Sequence, residues 1–424
     1  MNTSFPILPI QTNGDGDSLH YAIYPVYPDI NLKNILDYTL DLMSTWTDNY
    51  IWNLDPFTLS PDSNPPRLHG TMDMGEDSGV SPDEWVVVGV LWQISKLFPN
   101  VVIRCANSGN GANCSIQDGE GEFLLIESAL HIPDWLKPET AEHRVWIHNG
   151  ELKIIPLEQF TSHDPPPLAL DDALSHIRSA IRSEGTTVSL FTDPGMNDAI
   201  QDKIQGFPQE LQEQRHLARV MIPRLLAQVI HQNPQLTAPG VQSFYTRTTQ
   251  FKKLREFKYF APNDWVTVNI QFSRPLFAMI KSQKFTSPPA FPARDLSASE
   301  REMYSLGIKL TCAFELLASS DSPWSQRVID QWNTEKDRVL EDAEIKEWAE
   351  NCEEPSDEEW MTLSAEDVKR IIAEDKSEEE QVREMIANFE RFMEGESGFE
   401  GIDDDFAEFD SDNDMDDDDD EELE

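Results

Sequence analysis

Cysteine is scarce. Cys105, Cys114, Cys312 and Cys352 are the four in 424 residues, with no CxxC spacing among them. Such usage excludes a disulfide framework and points to reduced, intracellular thiols. Positive charge is scarce as well: 33 Lys and Arg face 78 Asp and Glu, a formal net charge of −45. A duplex polyanion repels such a chain, so direct DNA contact is disfavoured and basic protein partners are favoured. No run approaches the ~18 apolar residues that span a bilayer, so no membrane partner is expected. The N-terminal stretch MNTSFPILPIQTNGDGDS lacks the basic start and apolar centre of a secretory signal. A soluble protein of the nucleus and cytoplasm is the expectation.

The acidity is unevenly spread. Residues 341–424 hold 37 acidic and 6 basic residues, so most of the surplus belongs to one appendage. Four regions follow. Residues 1–162 read as an α+β domain. Residues 168–350 read as mostly helical, with one or two strands and a basic segment at 215–284. Residues 353–394 are acidic with short amphipathic helices, and 395–424 form a disordered acidic tail. In the tail, large apolar groups are too few to offset the entropy of ordering it.

Within the first region, alternation predicts a strand over 19–30, and apolar spacing predicts a helix over 31–46. The segment 85–98 reads as a strand passing into a helix, because Val86, Val87 and Val88 are β-branched. Strands are expected at 101–104 and 123–127, and a hairpin at 144–148 and 151–155 around Asn149-Gly150, residues that tolerate positive φ. His163-Asp164-Pro165-Pro166-Pro167 is an extended linker. Beyond it, helices are expected over 171–183, over 208–232 with a break at Pro223, and over 297–318 and 324–350. One strand is expected at 265–272, and a proline-rich loop at 287–292. Ser377-x-x-Glu380 is a capping box opening a helix over 378–393. Its residues Val382, Met385, Ile386, Phe389, Phe392 and Met393 make one apolar face for a partner.

Catalytic motifs are missing. Ser108-Gly109-Asn110-Gly111 has no Lys-Ser/Thr after it and leads toward a strand, so it reads as a surface loop. His131, His143 and His148 lack zinc-ligand spacing. The acidic run from Asp410 has Met415 where a calcium loop needs glycine. No GxSxG, kinase or P-loop signature occurs. No catalytic residue, cofactor or metal is assigned.

Two features do point to partners. From Arg215 to Lys284 there are 11 Lys and Arg against Glu256 and Asp264. The centre interleaves Phe251 and Phe257 with Arg247, Lys252, Lys253, Arg255 and Lys258, a pattern open to RNA or phosphoprotein binding, to docking of the acidic tail, or to a plain solvated face, which is favoured. In the tail, Phe399, Ile402, Phe406 and Phe409 stand among acids that keep them soluble until a groove accepts them, or the tail merely solubilises. Ser356, Ser377 and Ser411 precede acidic residues and suit an acidophilic kinase.

The segment GEFLLIESALHIPDWLKPETAEHRVWIHNGELKIIP (121–156) resembles the signature of the ecdysoneless family, fungal members included. Supporting blocks are YIWNLDPFTL (50–59), the stretch around GTMDMGEDSGVSPDEWVVVGVLWQISKL (68–97), SFYTR and VNIQFSRPLFAM within 241–279, and WMTLSAEDVKRII (360–372). The resemblance implies a non-enzymatic regulator of nucleus and cytoplasm, tied to transcriptional activation through an acidic C-terminus, to cell-cycle progression and to pre-mRNA splicing. Its partners would be transcription coactivators or splicing proteins, and fungal relatives are linked to carbohydrate-metabolism genes. It also implies recruitment of the RuvB-like ATPase co-chaperone complex by a phosphorylated acidic serine motif. Here Asp410-Ser411-Asp412 matches that motif, and Asn413 stands where the family has an acid. The rival expectation is an acidic chaperone for histones or other basic proteins, in which charge density alone matters.

Overall fold

Two large apolar cores, one beside each of two antiparallel sheets, and a smaller one on the other face of the first sheet organise the described residues. A computed structural model describes residues 18–53, 55–73, 83–108, 121–125, 127–157, 168–182, 189–246, 254, 256–338, 340–350 and 355–361. The first part comprises β1 (Ser18–Pro25), α1 (Leu32–Trp46), β2 (Ser60–Ser63), β3 (Pro66–Asp73), α2 (Asp83–Leu97), β4 (Val101–Ser108), β5 (Gly121–Glu122), α3 (Pro138–Ala141), β6 (Val145–His148) and β7 (Glu151–Ile154). Then come α4 (Leu170–Arg182), α5 (Pro194–Ile204), α6 (Gln209–Glu213), β8 (Arg215–Pro223), α7 (Arg224–Gln232), α8 (Thr237–Thr246), β9 (Trp265–Ser273), α9 (Arg274–Ser282), α10 (Ala298–Ala318), α11 (Pro323–Glu335) and α12 (Asp342–Glu350). The α+β class expected from sequence holds.

The first sheet runs β2-β3-β1-β4-β6-β7, with β5 paired to β4. Successive side chains of a strand point to opposite faces. Leu19, Tyr21 and Ile23 of β1 therefore enter the core with α2, while Ala22 and Tyr24 pack with Trp146 and with Ala173, Leu174 and Ile177 of α4. Burial on both faces is why β1 reads as a nearly unbroken apolar run. Met196, Ile200 and Ile204 of α5 also join the α2 side. The cover of this sheet thus continues past residue 162. Asn149 (φ 52°) and Gly150 (φ 70°) turn the β6–β7 hairpin, as their residue types predict.

Two expectations in this part are corrected. The segment 83–97 is helical throughout, with no strand at its start. Val86, Val87, Val88, Val90, Leu91 and Trp92 are all buried, so packing on every side overrides the β preference of the valines. At 121–127, Gly121 and Glu122 pair with β4, and Phe123–Leu125 turn as a 3-10 helix. Three consecutive buried side chains fit a turn that sends them all inward better than a strand that alternates them.

The second sheet is a nine-rung ladder of β8 and β9, from Arg215↔Ser273 to Pro223↔Trp265. Sequence predicts helix over 208–232; helix is found at 209–213 and 224–232, and 215–223 is strand. Leu217 and Val220 have helical spacing, but Ala218, Val220 and Ile222 have strand spacing, and pairing with β9 selects the latter. The expected strand at 265–272 is β9. The expected helix over 324–350 is broken between α11 and α12. Arg224 Nη1 donates to the Leu340 carbonyl (3.2 Å), and its guanidinium also binds Asp264 and Asp342. A continuous helix would keep that carbonyl for itself.

The cores meet at 50–53. Tyr50 and Trp52 lie in the first core and Ile51 in the second. Buried Asp83 accepts from the Asn53 N–H (2.8 Å), the Asn53 amide (3.2 Å) and the Tyr50 hydroxyl. From the other side, Gln235 donates to the Tyr50 carbonyl (2.7 Å), Gln242 to the Asn53 carbonyl (3.0 Å) and Ser273 to the Asn53 Oδ1 (2.8 Å). Burial, and then the Asp83 charge, drive the Tyr50 phenol well above its ordinary pKa. Asp83→Ala leaves three buried donors without their acceptor and is expected to cost about 3 kcal/mol or more. Urea denaturation measures this; a loss below ~0.5 kcal/mol would show the contact to be incidental.

Candidate partner-binding site

Ser356 and Lys258 are the candidate site residues that fall within the described part of the chain. Arg247, Lys252, Lys253 and Arg255, the helix face of 382–393, the aromatics of 399–409, and Ser377 and Ser411 lie outside it. His143 and His148 donate from Nδ1 to separate carbonyls, of Leu168 (2.8 Å) and Val101 (3.0 Å). Among the described residues, no group of His, Cys, Asp and Glu is placed to hold a metal ion.

Lys258 ends the central stretch of the basic segment, and its main chain is structural. The N–H groups of Lys258 (2.6 Å), Tyr259 (3.0 Å) and Phe260 (2.8 Å) converge on the carboxylate of Glu315, a buried residue of α10. The Lys258 ammonium lies 4.7 Å from the centroid of the Tyr259 ring and bonds its hydroxyl (3.1 Å). This charge therefore stays at the surface while its backbone fastens the segment to α10.

Ser356 belongs to a strap, residues 355–361, lying along the outer edge of β8. Its N–H donates to the Leu217 carbonyl (2.8 Å), and the Leu217 N–H donates to Ser356 Oγ (3.0 Å). The hydroxyl stands where a neighbouring strand would offer a carbonyl. Two residues on, Glu358 pairs with Lys281. Two further, Trp360 donates from Nε1 to His216 Nδ1 (3.4 Å), with its ring 5.5 Å from the His216 ring and 6.3 Å from that of Phe277. The Arg274 guanidinium lies 5.5 Å from the centroid of the same indole. Arg274, Phe277 and Lys281 stand at i, i+3 and i+7 of α9 and so share one face. Between β8, α9, α10 and the strap is a cavity of about 390 Å³, bordered by Arg219, Phe277, Met303, Leu306 and Ser356.

Sequence reasoning reached Ser356 through the acids after it and missed Trp360, His216 and Lys281. An isolated tryptophan in the acidic run EEPSDEEWM is the signal that was available. Burial pushes His216 down to about 4, against the opposing pull of Glu358, so its neutral ring can accept from Trp360. A folded-state pKa below the unfolded 6.5 means that this contribution is complete above pH 6.5 and is lost as pH falls toward 4. Protection of the Ser356 and Leu217 amides, measured against their intrinsic exchange rates at each pH, is expected to fall across that window. His216→Gln should remove the step; a step that survives it would belong to the carboxylates instead.

The family model described as "SGT1 protein" matches residues 21–339. The "Protein ecdysoneless homolog" of Arabidopsis thaliana is 30 % identical over 318 residues, which cover 70 % of this chain and 45 % of that protein. The Schizosaccharomyces pombe homolog of the same name is 32 % identical over 256 residues, covering 59 % and 40 %. "Protein ecdysoneless" of Drosophila melanogaster is 28 % identical over 353 residues, covering 72 % and 47 %. The chain thus spans less than half the length of these curated relatives. No solved structure matches it. A family match that runs from β1 through α11, carrying both sheets and the 50–53 junction between them, makes this chain a member of the ecdysoneless family.

Proposed function

We propose that this protein is a non-enzymatic regulatory adaptor of nucleus and cytoplasm, in which a folded α+β body carries an acidic C-terminal arm to transcription coactivators or splicing proteins. The observation that carries this reading is where the arm is rooted. Ser356, Glu358 and Trp360 fasten the chain to β8 and α9 within residues 341–424, where 37 acidic residues outnumber 6 basic ones. Partner contact falls to the tail aromatics Phe399, Phe406 and Phe409, held in solution by the surrounding acids.

Ser411, once phosphorylated, adds ~1.5–2 negative charges for a Lys/Arg cluster of a co-chaperone partner such as the RuvB-like ATPase complex. Ser356 is a second substrate for an acidophilic kinase, and its hydroxyl is already engaged by Leu217. The charge density of the arm also supports a different function, an acidic chaperone for histones or other basic proteins.

Replacing Phe399, Phe406 and Phe409 together by alanine keeps the charge and is expected to bring tail-driven reporter activity to background. Scrambling residues 395–424 at constant composition should do the same. Full activity from the scrambled tail would reject the adaptor reading in favour of the chaperone.

A further inference from the structure

We propose that the outer edge of β8 is a docking site for an extended acidic peptide bearing an aromatic residue, and that the strap of 355–361 is its resident intramolecular occupant. The site lies on the folded body and does not depend on the tail.

The edge itself is the first support. In an antiparallel ladder, alternate residues direct N–H and C=O to opposite sides. Leu217 directs both to Ser356, so Arg219 and Met221 present theirs to the same edge. At Met221 the edge is closed by α10. Gly307 comes so near that a Cβ there would lie 1.7 Å from the Met221 carbonyl oxygen. Arg219, an exposed residue between the two, faces the cavity of about 390 Å³. Among the described residues, one rung is taken, one is closed, and the rung between them opens on a space that an added strand could enter. Unpaired edge groups of this kind template strand addition.

The strap shows what chemistry fits. Its contact residues, Ser356, Glu358 and Trp360, are spaced by two, the repeat of an extended chain. An acid meets Lys281, and an aromatic meets His216, Phe277 and Arg274. Arg219 adds a further cation at the border of the cavity. An acidic ligand is therefore selected by charge, and its aromatic residue by a ring-lined seat.

The occupant is also replaceable. Ser356 makes one main-chain bond and substitutes its hydroxyl for the other, and Pro355 to Glu359 are exposed. A peptide strand would supply two main-chain bonds at Leu217 and two more at Arg219. The strap competes through its tether, which gives it an effective concentration of roughly mM.

The test uses the full chain and a fluorescein-labelled peptide of sequence EEPSDEEWM, residues 353–361. A variant carrying Ser356→Pro and Trp360→Ala is expected to bind it at least ten-fold more tightly than the unaltered chain. Adding Lys281→Glu to the variant, or replacing the peptide's tryptophan by alanine, should each remove that gain. A peptide N-methylated at its serine should fail as well, because the ladder bond is gone while the charge remains. On the unaltered chain, excess peptide should slow amide exchange at Arg219, so the question is decided even where the variant folds poorly. Equal binding by variant and unaltered chain, or binding of the N-methylated peptide equal to that of the unmodified one, would overturn the proposal. The acidic tail is intact throughout, so this outcome is separate from the fate of the tail aromatics.

Discussion

The buried carboxylate of Asp83 is the contact on which the arrangement of the two cores rests. In the segment 50–53, Tyr50 and Trp52 enter one core and Ile51 between them the other. That placement takes the main chain of four residues away from water, where each unpaired polar group costs on the order of 1–3 kcal/mol. Asp83 meets the demand from the first unit, and Gln235, Gln242 and Ser273 meet it from the second. Neither set suffices without the other, so loosening one core exposes polar groups that belong to its neighbour. Glu84, next in the chain, is pushed up to about 7 by burial and by the Asp83 charge.

Local chemistry made much of the fold legible in the sequence. Asn149-Gly150 specifies its hairpin because both residues adopt positive φ. The strand expected at the start of 85–98, and the helix expected across 215–223 within 208–232, failed for one reason seen from two directions. A fully buried helix shows no apolar face, so its β-branched valines spoke for a strand. A strand whose residues also fit a helical spacing gave no warning that a partner strand lay some fifty residues ahead. Both depend on what packs against the segment, which propensity does not carry.

The site was legible only at its chemistry-bearing ends. Serine followed by acids marks Ser356, and a net-positive stretch marks the region that contains β8 and α9. Nothing in either stretch announces that Glu358 and Lys281, separated by 77 positions, pair with each other. The i, i+3, i+7 face of α9 could have been drawn from sequence, but its partner is a tryptophan in a run dominated by charge. Lys309 is a further case. It reads as a solvated cation, yet it is buried and donates to the carbonyls of Ile280 (2.7 Å) and Lys281 (3.0 Å), holding the C-terminus of α9 under the strap.

A two-stranded sheet is marginal by itself, and its edges invite pairing with other chains. Covering the edge of β8 is therefore a requirement of solubility as much as of function, and helix α10 covers it at Met221, where Gly307 lies against the carbonyl. The strap covers the next stretch differently. A segment retained for protection alone would gain by completing the ladder, since each main-chain pair satisfies two groups that water otherwise must. This one instead bonds through a serine hydroxyl, pairs an exposed glutamate and seats one half-buried indole, and among the described residues the rung at Arg219 stays open. Contacts of that kind are specific in register and modest in strength, and each is sensitive to a charge added at Ser356 or a proton added at His216. An edge closed by such a segment is protected in the resting chain and remains available to a better strand.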